Sequence, residues 1–219
     1  MKPLNNSDSL ILLGGGGHGR VLLASLVASG CKNSLIGIID PMAAKLGKTI
    51  GSTPVLGVEE RLVFDYPPTT VKLLNGVGSI GSTVKRRKLY DRFIDDGYEF
   101  ASVIHPTAYV ADGVVVGVGA QIMAGAIIQT GCTIGDNVLI NSGAVVEHDV
   151  KIANHVHIAT GAVVAGGVEL APEVHIGCGA TVIQGRKIGV GSVVGAGAVV
   201  LQNVSDGVVV AGVPAAVLA

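Results

Sequence analysis

Along the second half of the chain an aliphatic residue returns at every sixth position. Counted from Ala108, the third place of each hexad reads Val110, Val116, Ile122 and so on to Val194 and Val200, sixteen aliphatic residues in sixteen hexads without an insertion. The first place is mostly small or aliphatic (Ala120, Ala126, Cys132, Val138), and the sixth is often Gly, Asn or Asp. A period of six fits neither a helix of 3.6 residues per turn nor the plain alternation of a half-buried strand. It fits a parallel β-solenoid in which each hexad supplies one short strand and a turn, and the third-place side chain points inward onto its counterpart in the next coil. The spacing predicts a left-handed parallel β-helix with three hexads per coil, an exception to the usual right-handed crossover. Residues 18 apart then stack, because three hexads close one coil.

The first half follows another pattern. Leu10–Leu13 reads as a buried strand running into Gly14-Gly15-Gly16-Gly17-His18-Gly19-Arg20, and Val21–Ala28 as a helix. Strand, glycine turn and helix N-terminus let backbone N–H groups approach a phosphate. Leu35–Ile39 predicts a second strand ending at Asp40-Pro41, about 20 residues past the turn, where a ribose or base hydroxyl contact is expected. Leu73–Gly76 predicts a third strand ending at Gly76-Val77-Gly78-Ser79, and Lys85–Asp96 a polar helix on which Lys85, Arg86 and Arg87 read as a solvated face. About 100 residues are too few for a six-stranded dinucleotide fold, so this is an α/β half-Rossmann unit, and a glycine turn with structural duties alone would look the same.

Composition separates the halves. Residues 1–107 hold 12 of the 15 basic and 9 of the 16 acidic residues, and Tyr109 is the last aromatic of the chain. Two segments are therefore predicted, 1–104 and 105–219. A formal charge of −1 argues against a nucleic-acid binder. Cys31, Cys132 and Cys178 form no CxxC pair, which gives no disulfide framework and no Cys-rich zinc site. No run of 18 apolar residues suggests a membrane span and no signal peptide is visible, so the expected location is the cytoplasm.

Four of the six histidines, His148, His155, His157 and His175, lie within 28 residues of the charge-poor solenoid, and Glu147 and Asp149 flank His148. Imidazole removes and returns a proton near neutral pH, and a carboxylate beside it fixes the tautomer. Spacing alone does not choose between the two carboxylates. The coil length puts Gly166 above His148 and His175 above His157, so that a bare backbone N–H stands beside the candidate base, suited to an oxyanion. His155 and His175 read as solvent-facing corner residues, His105 as part of a His-Pro turn and Glu147 as a surface group. His148, His155 and His157 are also a conceivable zinc triad for a carbonic-anhydrase-like hydratase, although their hexad places point in different directions. An inert scaffold would leave the histidine–carboxylate arrangement without a purpose.

The hexad run, the segment Ile104-His105-Pro106 and the closing Gly212-Val213-Pro214-Ala215 resemble the hexapeptide-repeat acyltransferases. Within these the chain is similar, over nearly its whole length, to the NeuD/PglD-type sugar acyltransferases. The resemblance implies an acetyl-CoA-dependent N-acetyltransferase of a nucleotide-linked amino sugar, a homotrimer needing no metal, with direct transfer in a ternary complex. O-acetylation of a sugar such as sialic acid is the nearest alternative. Asn141 to Asp149 matches the stretch carrying the general base, which falls on His148, with Asp149 as its carboxylate and Asn141 facing substrate. His157 matches a histidine near the acetyl carbonyl, Gly166 a backbone donor to it, and Cys178 and Ala196 positions along the pantetheine arm. Nucleotide-sugar contacts are implied at Gly16, Gly17, His18, Asp40, Pro41, Gly76, Val77 and Gly78.

Overall fold

The computed structural model describes residues 8–45 and 49–218; residues 1–7, 46–48 and 219, which include the outer ends of both predicted segments, lie outside the description. The chain divides into two units: one takes in the chain up to Gly78 together with Lys85–Val103, the other Ser79–Val84 and the chain from Ile104 onward.

The first unit is a parallel sheet of five strands, β1 (Leu10–Leu13), β2 (Leu35–Ile39), β3 (Val55–Gly57), β4 (Lys72–Asn75) and β5 (Glu99–Phe100), in the order β3-β2-β1-β4-β5. All four residues of β1 are buried, as a strand inside a parallel sheet requires. Helices α1 (Gly17–Ala28), α2 (Pro41–Lys45), α3 (Glu59–Asp65) and α4 (Val84–Asp95) complete it. Helix α1 begins at Gly17, upstream of the predicted start at Val21, with Gly16 as its N-cap. Strand order reverses between β1 and β4, so the loops that follow these strands part at their carboxyl ends and leave a crevice there.

The second unit consists of two-residue strands, with one of three residues at Val209–Ala211, in three parallel sheets of six, five and eight strands, the last with an antiparallel final pair. Ile127 pairs with Val145 and Val145 with Val163, so the repeat is 145 − 127 = 18 residues. This is consistent with a left-handed β-helix of three hexads per coil. The third-place residues from Ile122 to Val200 and the first-place residues from Ala120 to Ala180, with Ala198, form one continuous apolar core. Each buried Val, Leu or Ile contributes about 1.5–3 kcal/mol, which is how a unit nearly free of aromatic rings is held.

The sixth place turns the corner. From position 113 to position 197 every sixth residue has positive φ, and those that are not glycine are Asn137, Asp149, His155 and Glu173. Past Val200 the repeat shortens: Val193 pairs with Val209, and 209 − 193 = 16. The regular repeat therefore ends with the hexad pattern, and a shortened coil follows.

Candidate functional site

Each coil has three corners, each a column of residues 18 apart, and the corners differ in what their side chains do. At the corner of Asp136 and Asn154 the side chains staple coil to coil: Val118 N–H donates to Asp136 Oδ1 (2.7 Å) and Asp136 N–H to Asn154 Oδ1 (2.9 Å). At the corner of His148 and Gly166 the polar groups point elsewhere. His148 Nδ1 donates to Asp149 Oδ2 at 2.9 Å, and the two side chains are 52% and 69% exposed. A carboxylate only accepts, so the ring proton sits on Nδ1 and Nε2 presents a lone pair. Asp149 reaches the ring because it occupies a corner place at φ 60°. The glycine one coil below leaves it room: a Cβ on Gly131 would lie 2.3 Å from Asp149 Oδ1.

Gly166 lies over the imidazole. A Cβ there would stand 2.5 Å from His148 Nε2, so only glycine fits above the ring in this position. The Gly166 carbonyl accepts from Gly185 N–H, while its own N–H has no hydrogen bond among the described residues. A lone pair and a backbone donor thus share one corner, the pair of groups that proton removal and oxyanion stabilisation require. The Glu147 carbonyl accepts from Cys132 Sγ at 3.0 Å.

A second cluster lies at the opposite end of the face formed by Val145–Val146 and its neighbours. His157 stands on an outer face, 5% exposed, with Nδ1 hydrogen-bonded to Ser79 Oγ at 2.6 Å. Asn141 Nδ2 is 3.5 Å from His157 Nε2, and Asn141 Oδ1 accepts from Ser142 N–H at 2.8 Å. His175 stacks edge-on over His157 with ring centroids 4.9 Å apart. Contrary to its reading as solvent-facing, His175 is 7% exposed, and burial pushes its pKa down, so the ring stays neutral. His155 is half-buried, its Nδ1 3.1 Å from Asn137 Nδ2, rather than free in solvent. Cys178 and Ala196 are exposed and stack at the corner shared with Ser142 and Thr160, where Gly197 N–H donates to the Cys178 carbonyl at 2.9 Å. One chain therefore keeps His148, Asp149 and Gly166 apart from Asn141, His157, Cys178 and Ala196, with the width of a face between them. Among the described residues of one chain no three His, Cys, Asp or Glu side chains converge as a metal site.

In the first unit the glycines divide by role. Gly14 has φ 91°, and a Cβ on Gly19 or Gly76 would come within 2.1 Å or 2.3 Å of the Gly14 carbonyl oxygen. Close packing of the two loops fixes these three. At Gly16 and Gly17 a Cβ would meet nothing within 4 Å, and with His18 they open helix α1 toward solvent. The first N–H groups of a helix lack internal partners and favour anions. Asp40 accepts from Gly15 N–H (2.8 Å) and from Met42 and Ala43 N–H (2.9 Å each), so it ties the glycine turn to the start of α2, where Pro41 needs no donor. Partial burial raises its pKa, but the N–H groups of Ala43, Gly15 and Met42 outweigh this and hold it below the ordinary value.

Val77 and Gly78 follow β4 beside His18, whose Cβ would be 3.2 Å from a Cβ on Gly78. Arg86, read from sequence as part of a solvated face, is 1% exposed and donates through Nη1 to the carbonyls of Asn75 and Val77, both at 2.9 Å. Burial lowers its pKa to about 9, so it keeps its proton at neutral pH and holds the Gly76–Gly78 loop. The roles of Ser79 and Arg86 were not legible from sequence. Their partners lie 78 and 11 residues away, and no local spacing announces either contact.

Comparison with known proteins agrees with both patterns. The family model for the PglD N-terminal domain matches residues 9–93, and that for the bacterial transferase hexapeptide (six repeats) matches residues 119–148 and 131–166. No curated protein matches the chain. Among solved structures, GDP-perosamine N-acetyltransferase from Caulobacter crescentus, a histidine-to-alanine mutant in complex with CoA and GDP-perosamine, is 34% identical, with 97% of this chain and 98% of that chain covered and a TM-score of 0.87. The acetyltransferase domain of PglB from Neisseria gonorrhoeae in complex with acetyl coenzyme A is 30% identical, covering 97% and 100%, with a TM-score of 0.88. WeeI from Acinetobacter baumannii is 26% identical over 97% and 100%, with a TM-score of 0.77. Sequence identity and fold match run through both units, glycine crevice and hexad coil alike, and the chain belongs to the NeuD/PglD-type sugar acyltransferases.

Proposed function

We propose that the protein is an acetyl-CoA-dependent N-acetyltransferase acting on the amino group of a nucleotide-linked 4-amino-4,6-dideoxy sugar, and that it works as a homotrimer in the cytoplasm. One observation carries the reading: a histidine whose Nδ1 is held by Asp149, whose Nε2 has no hydrogen bond among the described residues, and over which only a glycine fits. The C. crescentus relative, crystallised with CoA and GDP-perosamine, supports both substrate classes.

In this reading the segment 1–104 binds the nucleotide sugar through Gly16, Gly17, His18, Asp40, Pro41 and Gly76–Gly78, and the segment 105–219 carries the chemistry. The sugar nitrogen attacks the thioester carbonyl carbon and an N–C bond forms. His148 Nε2 takes the proton the nitrogen sheds, Asp149 stabilises the resulting imidazolium, and Gly166 N–H holds the oxyanion. The C–S bond then breaks and CoA leaves as a thiolate that the imidazolium can reprotonate. The acyl group passes directly to nitrogen, with no acyl-enzyme. Asn141 and His157 face the reacting groups, and Cys178 and Ala196 border the pantetheine arm.

Because one chain separates the two clusters, the reading needs a second copy to bring its Asn141 and His157 toward His148. Exposed apolar side chains on the early coils, Tyr109 (55%), Val115 (61%) and Ile127 (37%), supply surface that such a contact would cover. A cyclic trimer repeats the contact and closes it.

The test is release of CoA thiol from acetyl-CoA against a panel of nucleotide-linked 4-amino sugars and sialic acid. An amino sugar is the expected acceptor, and His148→Ala should lower turnover about 10²–10⁴-fold, the range of a general base, without loss of fold. Near-normal turnover by His148→Ala would overturn the mechanism, and acetylation of sialic acid alone would replace the acceptor nitrogen by a hydroxyl.

A further inference from the structure

The segment Ser79–Val84 belongs to the β-helical unit although it follows the Gly76–Gly78 loop in sequence. Two of its hydroxyls anchor it there: Ser79 Oγ to His157 Nδ1 at 2.6 Å, and Thr83 Oγ1, donating to the Glu173 carbonyl at 3.2 Å. The Thr83 contact is to backbone and would serve anchorage alone. The Ser79 contact is to an ionisable ring, so it selects which ring nitrogen carries the proton.

We infer that Ser79 is a positioning residue for acyl transfer, donating its hydroxyl proton to His157 Nδ1 and thereby placing the imidazole proton on Nε2. Ser79 is 9% exposed, and His157 is its one hydrogen-bond partner among the described residues. Were the proton on Nδ1, the ring would donate and the buried hydroxyl would hold a proton with no acceptor, at a cost comparable to a lost hydrogen bond. Donation by the hydroxyl satisfies both groups. The neutral His175 ring packed on His157 adds no charge that would oppose this tautomer.

The consequence lies on the other side of the ring. Asn141 Oδ1 is taken by Ser142 N–H, so Nδ2 faces His157 Nε2 across 3.5 Å. With the proton on Nε2 these are two donors, too far apart and of the wrong kind to bond each other well. Two N–H donors at that spacing can converge on one oxygen. This pair suits a carbonyl oxygen that gains charge during attack, which extends the proposed acyl transfer and rests on it. The residue that follows the glycine loop in sequence thus decides whether His157 can donate.

Isotope-labelled histidine NMR on the full-length protein, with the His157 signal assigned by its loss in His157→Gln, reads the tautomer without any turnover. The wild type should show Nε2 protonated, and Ser79→Ala should shift the population toward Nδ1. In the same variant kcat should fall roughly tenfold or more, short of the about 100-fold that loss of a whole oxyanion donor costs, with KM for the acceptor little changed. Ser79→Thr should restore both readings, and Thr83→Val, which loosens the same segment, should leave the tautomer as in wild type. Protonation at Nδ1 in the wild type, or an unchanged tautomer in Ser79→Ala, overturns the inference. A shifted tautomer with undiminished transfer would instead remove His157 from the acyl group, and with it the catalytic consequence of Ser79.

Discussion

Gly166 is a glycine for reasons of space. Its φ is not among the positive ones, so alanine fits its backbone, yet a Cβ would press within 2.5 Å of His148 Nε2. The imidazole is the far end of a side chain half open to solvent and would swing away. Gly166→Ala should therefore fold with a stability change within about 1 kcal/mol while kcat/KM falls about 100-fold or more. Thermal unfolding and steady-state assays check the two halves of this, and full activity would show that the ring does not work from under Gly166. At this scale much was legible in the sequence, because stacking follows from arithmetic: 148 + 18 = 166. What stayed hidden were contacts made at long range, the Ser79 hydroxyl on His157 and the Arg86 guanidinium on the Asn75 and Val77 carbonyls.

The hexad is an element whose sixth place must adopt a left-handed backbone, which a residue with Cβ accepts only at a cost of order 1 kcal/mol. Asp149 bears that cost at φ 60° while an exposed hydrogen bond to His148 returns little stability. The geometry makes sense if the carboxylate is there for chemistry. Asp149→Gly should raise stability by about 0.5–1 kcal/mol and, on the proposed mechanism, lower turnover roughly tenfold or more by releasing the ring proposed as base. Denaturant unfolding and kcat measure this; a variant less stable than wild type would assign Asp149 to the fold instead. The α/β unit was less legible at this scale. Strands β3 and β5 and helices α2 and α3 have 2–7 residues, too few to establish a period, and it is sheet pairing that orders them.

For the whole molecule, the separation of the two clusters in one chain gives the trimer proposal a sharp consequence. If each site joins His148 of one copy to His157 of the next, His148→Ala and His157→Ala damage opposite halves of every site. Co-expressed in equal amounts, the two inactive variants should regain about one quarter of wild-type turnover, since random assembly makes about one site in four from two intact halves. Co-expression that recovers nothing would place both histidines in a site made by a single copy.

A six-residue period with an aliphatic third place was enough, without coordinates, to predict coils of three hexads, the stacking of Gly166 on His148, and the end of the regular repeat near Val200. Periodicity is local information repeated, so it survives in one dimension. The sequence did not specify that His175 is buried against His157, that Asp40 spends its carboxylate on the glycine turn, or that Ser79 leaves the loop after β4 to reach a ring 78 residues away. Those arrangements arise where segments distant in sequence compete for the same buried hydrogen bonds, and only the folded chain decides which partner each group receives.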